Sequence, residues 1–89
     1  MFKLFKKKII TYLGRGGLKY FNGIDDFYID TNNILDAKQL SIEIFWNDIK
    51  KKNGEEEITD DEKRAIARTV KSHLEKDNIL VTITPALSQ

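Results

Sequence analysis

Ile58-Thr-Asp-Asp-Glu-Lys-Arg-Ala-Ile-Ala-Arg-Thr-Val-Lys-Ser-His-Leu-Glu-Lys-Asp-Asn-Ile-Leu-Val-Thr-Ile-Thr84 decides the fold. Thr59-Asp60-Asp61-Glu62 has the form of a capping box, in which the Thr59 hydroxyl accepts the backbone N–H of Glu62 and the Glu62 carboxylate reaches back. Three carboxylates in that turn also suit the positive end of the helix dipole. Ile66, Val70 and Leu74 recur every four residues and make one apolar stripe. Asn78 tolerates the left-handed conformation that ends a helix. The aliphatic run Ile79–Thr84 follows as a strand, and Pro85 stops its pairing because it has no N–H to donate. A helix over 59–77 and a strand over 79–84 are therefore expected.

Working back toward the N-terminus, Leu40-Ser-Ile-Glu-Ile-Phe-Trp46 alternates. Leu40, Ile42, Ile44 and Trp46 fall on one face, which should cover the helix stripe, and Ser41, Glu43 and Phe45 fall on the other. Before it, Ile9–Leu13 reads as a strand, Gly14-Arg-Gly-Gly17 as a hairpin turn, and Leu18–Asn22 as the antiparallel return. Gly23 with Asp25-Asp26 makes a second turn, Phe27–Asp30 a third strand, Asn32-Asn33 a further turn, and Ile34-Leu35 a short strand. The 47–58 segment reads as a polar loop. The expected fold is α+β: an antiparallel β-meander over 9–46, one C-terminal amphipathic helix packed on a sheet face, and a final strand. Residues 1–89 are expected to form one small domain, which buries only about 60–65% of its unfolded surface.

Composition excludes several classes. With no cysteine there is no disulfide framework and no thiolate metal site, and the chain suits a reducing cytoplasm. No apolar run approaches the roughly 20 residues of a membrane helix, and the basic opening lacks the core and cleavage site of a signal peptide. His73 is the sole histidine, so no histidine pair can hold zinc; beside Leu74 it reads as a boundary residue. None of Ser41, Ser72 and Ser88 sits in a nucleophile-elbow context. Asp30-Thr-Asn32-Asn-Ile34 begins like a calcium loop but fails at Ile34, and Gly14, Gly16 and Gly17 match neither phosphate-binding pattern. No catalytic residue, cofactor or metal site is expected.

Net charge is only +1, but it is segregated. Residues 1–23 carry Lys3, Lys6, Lys7, Lys8, Arg15 and Lys19 and no acid. Residues 24–48 carry Asp25, Asp26, Asp30, Asp36, Glu43 and Asp48 against Lys38 alone. The basic segment 1–8, as helix or strand, sits near Phe2, Phe5 and Tyr12, and its lysines with Arg15 and Lys19 could contact phosphates. The pI of about 7.9 is low for a dedicated nucleic-acid domain.

From Gly14 onward the order of features resembles a family of small bacterial immunity proteins of polymorphic toxin systems, the immunity protein 74 group. The resemblance lies in a glycine-containing start running into Leu18-Lys-Tyr20, Ile42-Glu-Ile-Phe-Trp46, a polar loop into Ile58-Thr-Asp-Asp-Glu-Lys-Arg-Ala-Ile66, and the strand Ile79-Leu-Val-Thr-Ile83. It implies a cytoplasmic, non-enzymatic protein that binds and blocks a cognate toxin domain. Because many toxin domains present basic clefts, an acidic patch would speed association. Charge and residue type nominate Asp25, Asp26, Asp30, Asp36 and Glu43 for that surface, with Tyr28 and Trp46 as aromatic anchors. The alternative is a nucleic-acid-binding accessory module built on the basic N-terminal segment.

Overall fold

The computed structural model describes residues 8–14, 16–52, 54 and 57–87. These form a sheet of five strands in the order β1-β2-β3-β4-β5, with one helix on it. The strands are β1 (Ile10–Tyr12), β2 (Leu18–Phe21), β3 (Asp26–Asp36), β4 (Gln39–Lys51) and β5 (Leu80–Thr84). Helix α1 spans Asp60–Lys76. The α+β class, the packed C-terminal helix and the final strand are thus as the sequence predicts. The first four strands pair antiparallel, and β5 pairs parallel to β4. That parallel return requires a crossover, which α1 provides.

Local chemistry explains the element ends. Thr59 caps α1, its side chain accepting the N–H of Glu62 at 3.2 Å. At the other end Asn78 takes φ 63°, and Ile79 N–H closes on the Leu74 carbonyl at 3.2 Å. In the first hairpin Leu13 N–H donates to the Gly17 carbonyl at 3.1 Å, and Gly14 has φ 93°. The next turn is held by Asn22, whose Oδ1 accepts from both Ile24 N–H and Asp25 N–H at 2.8 Å, an Asx turn.

Two expectations are corrected. Asn32-Asn33 is no turn: β3 runs through it without a break to Asp36. The reversal falls instead at Ala37 (φ 49°) and Lys38 (φ 70°), the two left-handed positions of a tight hairpin, here without the usual Asn-Gly. Tertiary pairing overrides the Asn preference, for Asn32 lies opposite Glu43 and Asn33 opposite Ile42. Likewise the 47–58 loop is too long, since β4 continues to Lys51.

That extension contains a bulge. Asp30 pairs with Phe45, but Tyr28 pairs with Lys50, so a two-residue step on β3 meets a five-residue step on β4. In a regular strand Ile49 would share the face of Glu43 and Phe45. The three extra residues reverse that parity, so Ile49 is buried and Lys50 turns to the opposite side.

The core lies between α1 and one sheet face. Leu18, Phe27, Ile29, Ile42, Ile44 and Ile49 meet Ala67, Val70 and Leu74, with Ile66, Val81, Ile83 and Trp46 at its margin. Thr31, the buried polar residue, accepts the N–H of Gly17 at 2.8 Å and donates to Asn33 Oδ1 at 2.7 Å. At the far end the Gln39 side-chain amide donates to the Asn78 carbonyl at 2.9 Å, tying the β3–β4 turn to the end of the helix. Among the described residues no helix is long and apolar enough to cross a membrane.

Candidate functional site

Among the described residues the helix covers one face of the sheet, so each strand leaves alternate side chains on the other. The pairing registers order these into rows. Lys19 of β2, Tyr28 of β3 and Lys50 of β4 lie side by side. The next row holds Asp30, Phe45 and Thr84, the next Asn32, Glu43 and Thr82, and the last Ile34, Ser41 and Leu80. Rows are about 7 Å apart and neighbouring strands about 4.8 Å apart. Tyr28 is 38% exposed, Ile34 49% and Leu80 60%. The result is an apolar and aromatic surface with a lysine row at one end and carboxylates beyond it.

The nominated acids do not form one patch. Tyr28, Asp30 and Glu43 share this uncovered face. Asp26 begins the same strand opposite Phe21. Asp25 lies in the preceding turn, where its carboxylate meets Lys51 Nζ at 3.7 Å. Asp36 is at the other end of β3, paired with Gln39 at the hairpin, six residues or about 20 Å from Asp30. Glu43 is already engaged, its Oε2 accepting the Thr84 hydroxyl at 2.6 Å, which couples the acidic row to β5.

Trp46 lies on the helix side. Its ring packs against the core, the Arg64 guanidinium stands 5.1 Å from the ring centroid, and Nε1 donates to the Pro85 carbonyl at 2.9 Å. Those contacts make it a latch between β4, α1 and the segment after β5, and place it away from the uncovered face.

Two residues of that face, Lys19 and Lys50, join it through strand register. Lys19 follows from the alternation of Leu18-Lys-Tyr-Phe21 once Leu18 and Tyr20 are read as core. Lys50 had no signal, because only the bulge brings it there. Of the basic residues of the alternative reading, Lys3, Lys6, Lys7 and Arg15 lie outside the described residues, and Lys8 is exposed.

Elsewhere, a cleft of about 360 Å³ beneath the start of α1 is lined by Ile49, Lys50, Ile58 and Lys63 with Glu57 and Asp60. Lys63 Nζ there donates to the Asn47 carbonyl at 3.1 Å. No group of three His, Asp or Glu side chains poised for a metal occurs among the described residues. Burial pushes the Tyr20 phenol above its ordinary value, and burial, with the Asp77 carboxylate second, does the same to Tyr12.

Compared with protein-family models, curated proteins and solved structures, the chain matches none.

Proposed function

We propose that this is a binding protein that recognises a protein partner across the uncovered sheet face, and that the partner is a toxin domain it neutralises. One observation supports the surface: among the described residues Tyr28, Asp30, Ile34 and Leu80 are exposed, with Phe45 half-buried between them, on a sheet whose other face holds the core. Aromatic side chains on a fixed backbone make interface anchors at small entropic cost. The carboxylates of Asp30 and Glu43 would meet basic groups of the partner and the lysine row, Lys19 and Lys50, acidic ones, with charge contributing mainly to encounter rate and register. The resemblance supplies the toxin, as the kind of partner such a small domain neutralises.

The test uses the protein with residues 1–89 intact and a variant carrying Tyr28→Ala and Asp30→Lys, each as bait in lysate of the source cell. The reading expects the wild type to retain at high salt one polypeptide that the variant loses. That polypeptide, expressed alone, must arrest growth, and co-expression of the wild type must restore it. A captured polypeptide without toxicity, or equal capture by both baits, overturns the proposal.

A further inference from the structure

We propose that the outer edge of β5 docks the same edge of a second copy of this chain, joining two sheets side by side about a twofold axis. The inference is independent of what the uncovered face binds.

The edge is open and undefended. Among the described residues β5 closes one side of the sheet and pairs with β4 alone. Its outward N–H and C=O groups therefore have no strand beside them, and such a row is a template for another strand. Soluble sheets blunt an edge with lysine, proline, a bulge or shortness. The opposite edge follows that rule, since β1 has only 3 residues. Leu80-Val-Thr-Ile-Thr84 does not: it is uncharged, rich in β-branched residues and without proline or glycine. Trp46 holds the Pro85 carbonyl at 2.9 Å, which draws the chain beyond β5 back toward β4 and away from that edge.

The strand is complementary to itself. A twofold axis along the sheet normal at Thr82 pairs β5 with its copy antiparallel over its whole length. Thr82 then faces Thr82 of the second copy, Leu80 faces its Thr84, and Val81 faces its Ile83. Register with β4 puts Leu80, Thr82 and Thr84 on the uncovered face, and Val81 and Ile83 on the core side. Apolar therefore meets apolar beneath the helices, and two threonines meet at the axis, a favourable cross-strand pair. About four to six backbone hydrogen bonds close the joint. An axis along the strands would instead give a parallel pair with each N–H opposite the same N–H, which cannot bond.

The helix leaves room for this. α1 packs over β4 and β5 together, so its axis lies roughly half a strand spacing, about 2.4 Å, inside β5. Across the joint the two helices run antiparallel about 10 Å apart, an ordinary packing distance. His73 lies toward Tyr20 of β2. The opposite flank of the helix holds the ion pairs Arg64–Asp61 at 2.6 Å and Lys71–Glu75 at 3.2 Å, so the flanks meet as paired charges and not as rows of one sign. Strand and helix flank together give on the order of 400 Å² per copy, about half a standard interface. A weak dimer, populated above roughly 10 μM, is therefore expected.

Sedimentation of the wild type from micromolar to millimolar concentration decides first. A shift from monomer to dimer is expected; a monomer throughout, or growth beyond the dimer, overturns the proposal. Cross-linking then reads the register, which a cysteine-free chain allows. Thr82→Cys should form a disulfide-linked dimer about tenfold faster than Leu80→Cys, whose counterpart stands about 13 Å away along the joint. Equal rates overturn the register. Thr82 is exposed, so a charge placed there spares the core. Thr82→Lys and Thr82→Asp should each weaken self-association about tenfold, and an equimolar mixture should recover it. Circular dichroism checks that each folds, and should either fail, the two cysteine variants decide. Charge variants that dimerise like the wild type overturn the edge assignment. Tyr28→Ala with Asp30→Lys should dimerise as the wild type does; loss of the dimer there would move the interface to the uncovered face and overturn this one.

Discussion

The indole N–H of Trp46 donates to the Pro85 carbonyl at 2.9 Å, so the residue that closes the alternating half of β4 also fastens the chain just beyond β5. Arg64 covers the ring from the helix side at 5.1 Å. The bond joins residues 39 apart in sequence and is exposed to solvent, so its loss leaves no buried orphan. Trp46→Phe should cost about 1 kcal/mol from the hydrogen bond, with a further few tenths from a weaker cation–π contact. Urea denaturation reads this. Capture of the partner should be unchanged, since Trp46 lies on the helix side.

Thr31 presents the opposite case, a polar group whose removal strands a buried donor. Its hydroxyl accepts from Gly17 N–H while donating to Asn33. Thr31→Val keeps the shape and leaves that N–H without an acceptor, at a cost of about 1–3 kcal/mol. Beside it, a Cβ added at Gly16 would stand 2.7 Å from the Thr31 carbonyl oxygen, which is backbone and cannot swing away. Gly16→Ala should therefore also destabilise, and hydrogen exchange should show the loss concentrated in the β1–β2 hairpin. A fall in stability spread evenly over the sheet would contradict this local account.

The same contrast between local and long-range effects governs what could be read from the chain. The helix was legible at both ends because Thr59 and Asn78 act on backbone groups within four residues of themselves. The two faces of Leu40–Trp46 were legible because alternation is a local period. The Ala37-Lys38 reversal was not, since neither residue prefers the left-handed region and the hairpin register enforces it. The β4 bulge was equally hidden: it depends on which residues of β3 pair with Phe45 and Lys50. The candidate face was half legible for that reason. All the nominated residues were grouped by charge and type; strand pairing keeps Tyr28, Asp30 and Glu43 on one face, Lys50 joins them only through the bulge, and Asp25, Asp36 and Trp46 lie elsewhere.

Helix α1 separates capping from packing. Thr59→Ala removes the acceptor for Glu62 N–H at an exposed end and should cost about 1 kcal/mol. Leu74 is 1% exposed and packs against the sheet, so Leu74→Ala should cost about 2–5 kcal/mol through lost burial and the cavity left behind. Thermal unfolding of the two variants in parallel ranks them. A larger loss for Thr59→Ala would mean that the helix is held chiefly by its end.

Alkaline pH tests the tyrosines. Tyr20 stacks against Phe27 at 6.2 Å between centroids and lies 6.5 Å from His73, and burial raises its folded pKa above the ordinary 10.0. A raised folded value means that the unfolded chain ionises first. The stability linked to Tyr20 is therefore fully present below pH 10 and lost as pH rises through the folded value. Tyr12 adds to the same slope, with Asp77 as its second cause. Denaturation midpoints should stay level with respect to these groups up to pH 10 and fall beyond it, and Tyr20→Phe should make that fall shallower. Asp77→Asn should bring the Tyr12 phenolate transition to lower pH, read by its absorbance, because one of the two causes is removed. An alkaline slope unaltered by Tyr20→Phe would show that its phenol ionises alike in the folded and unfolded chain.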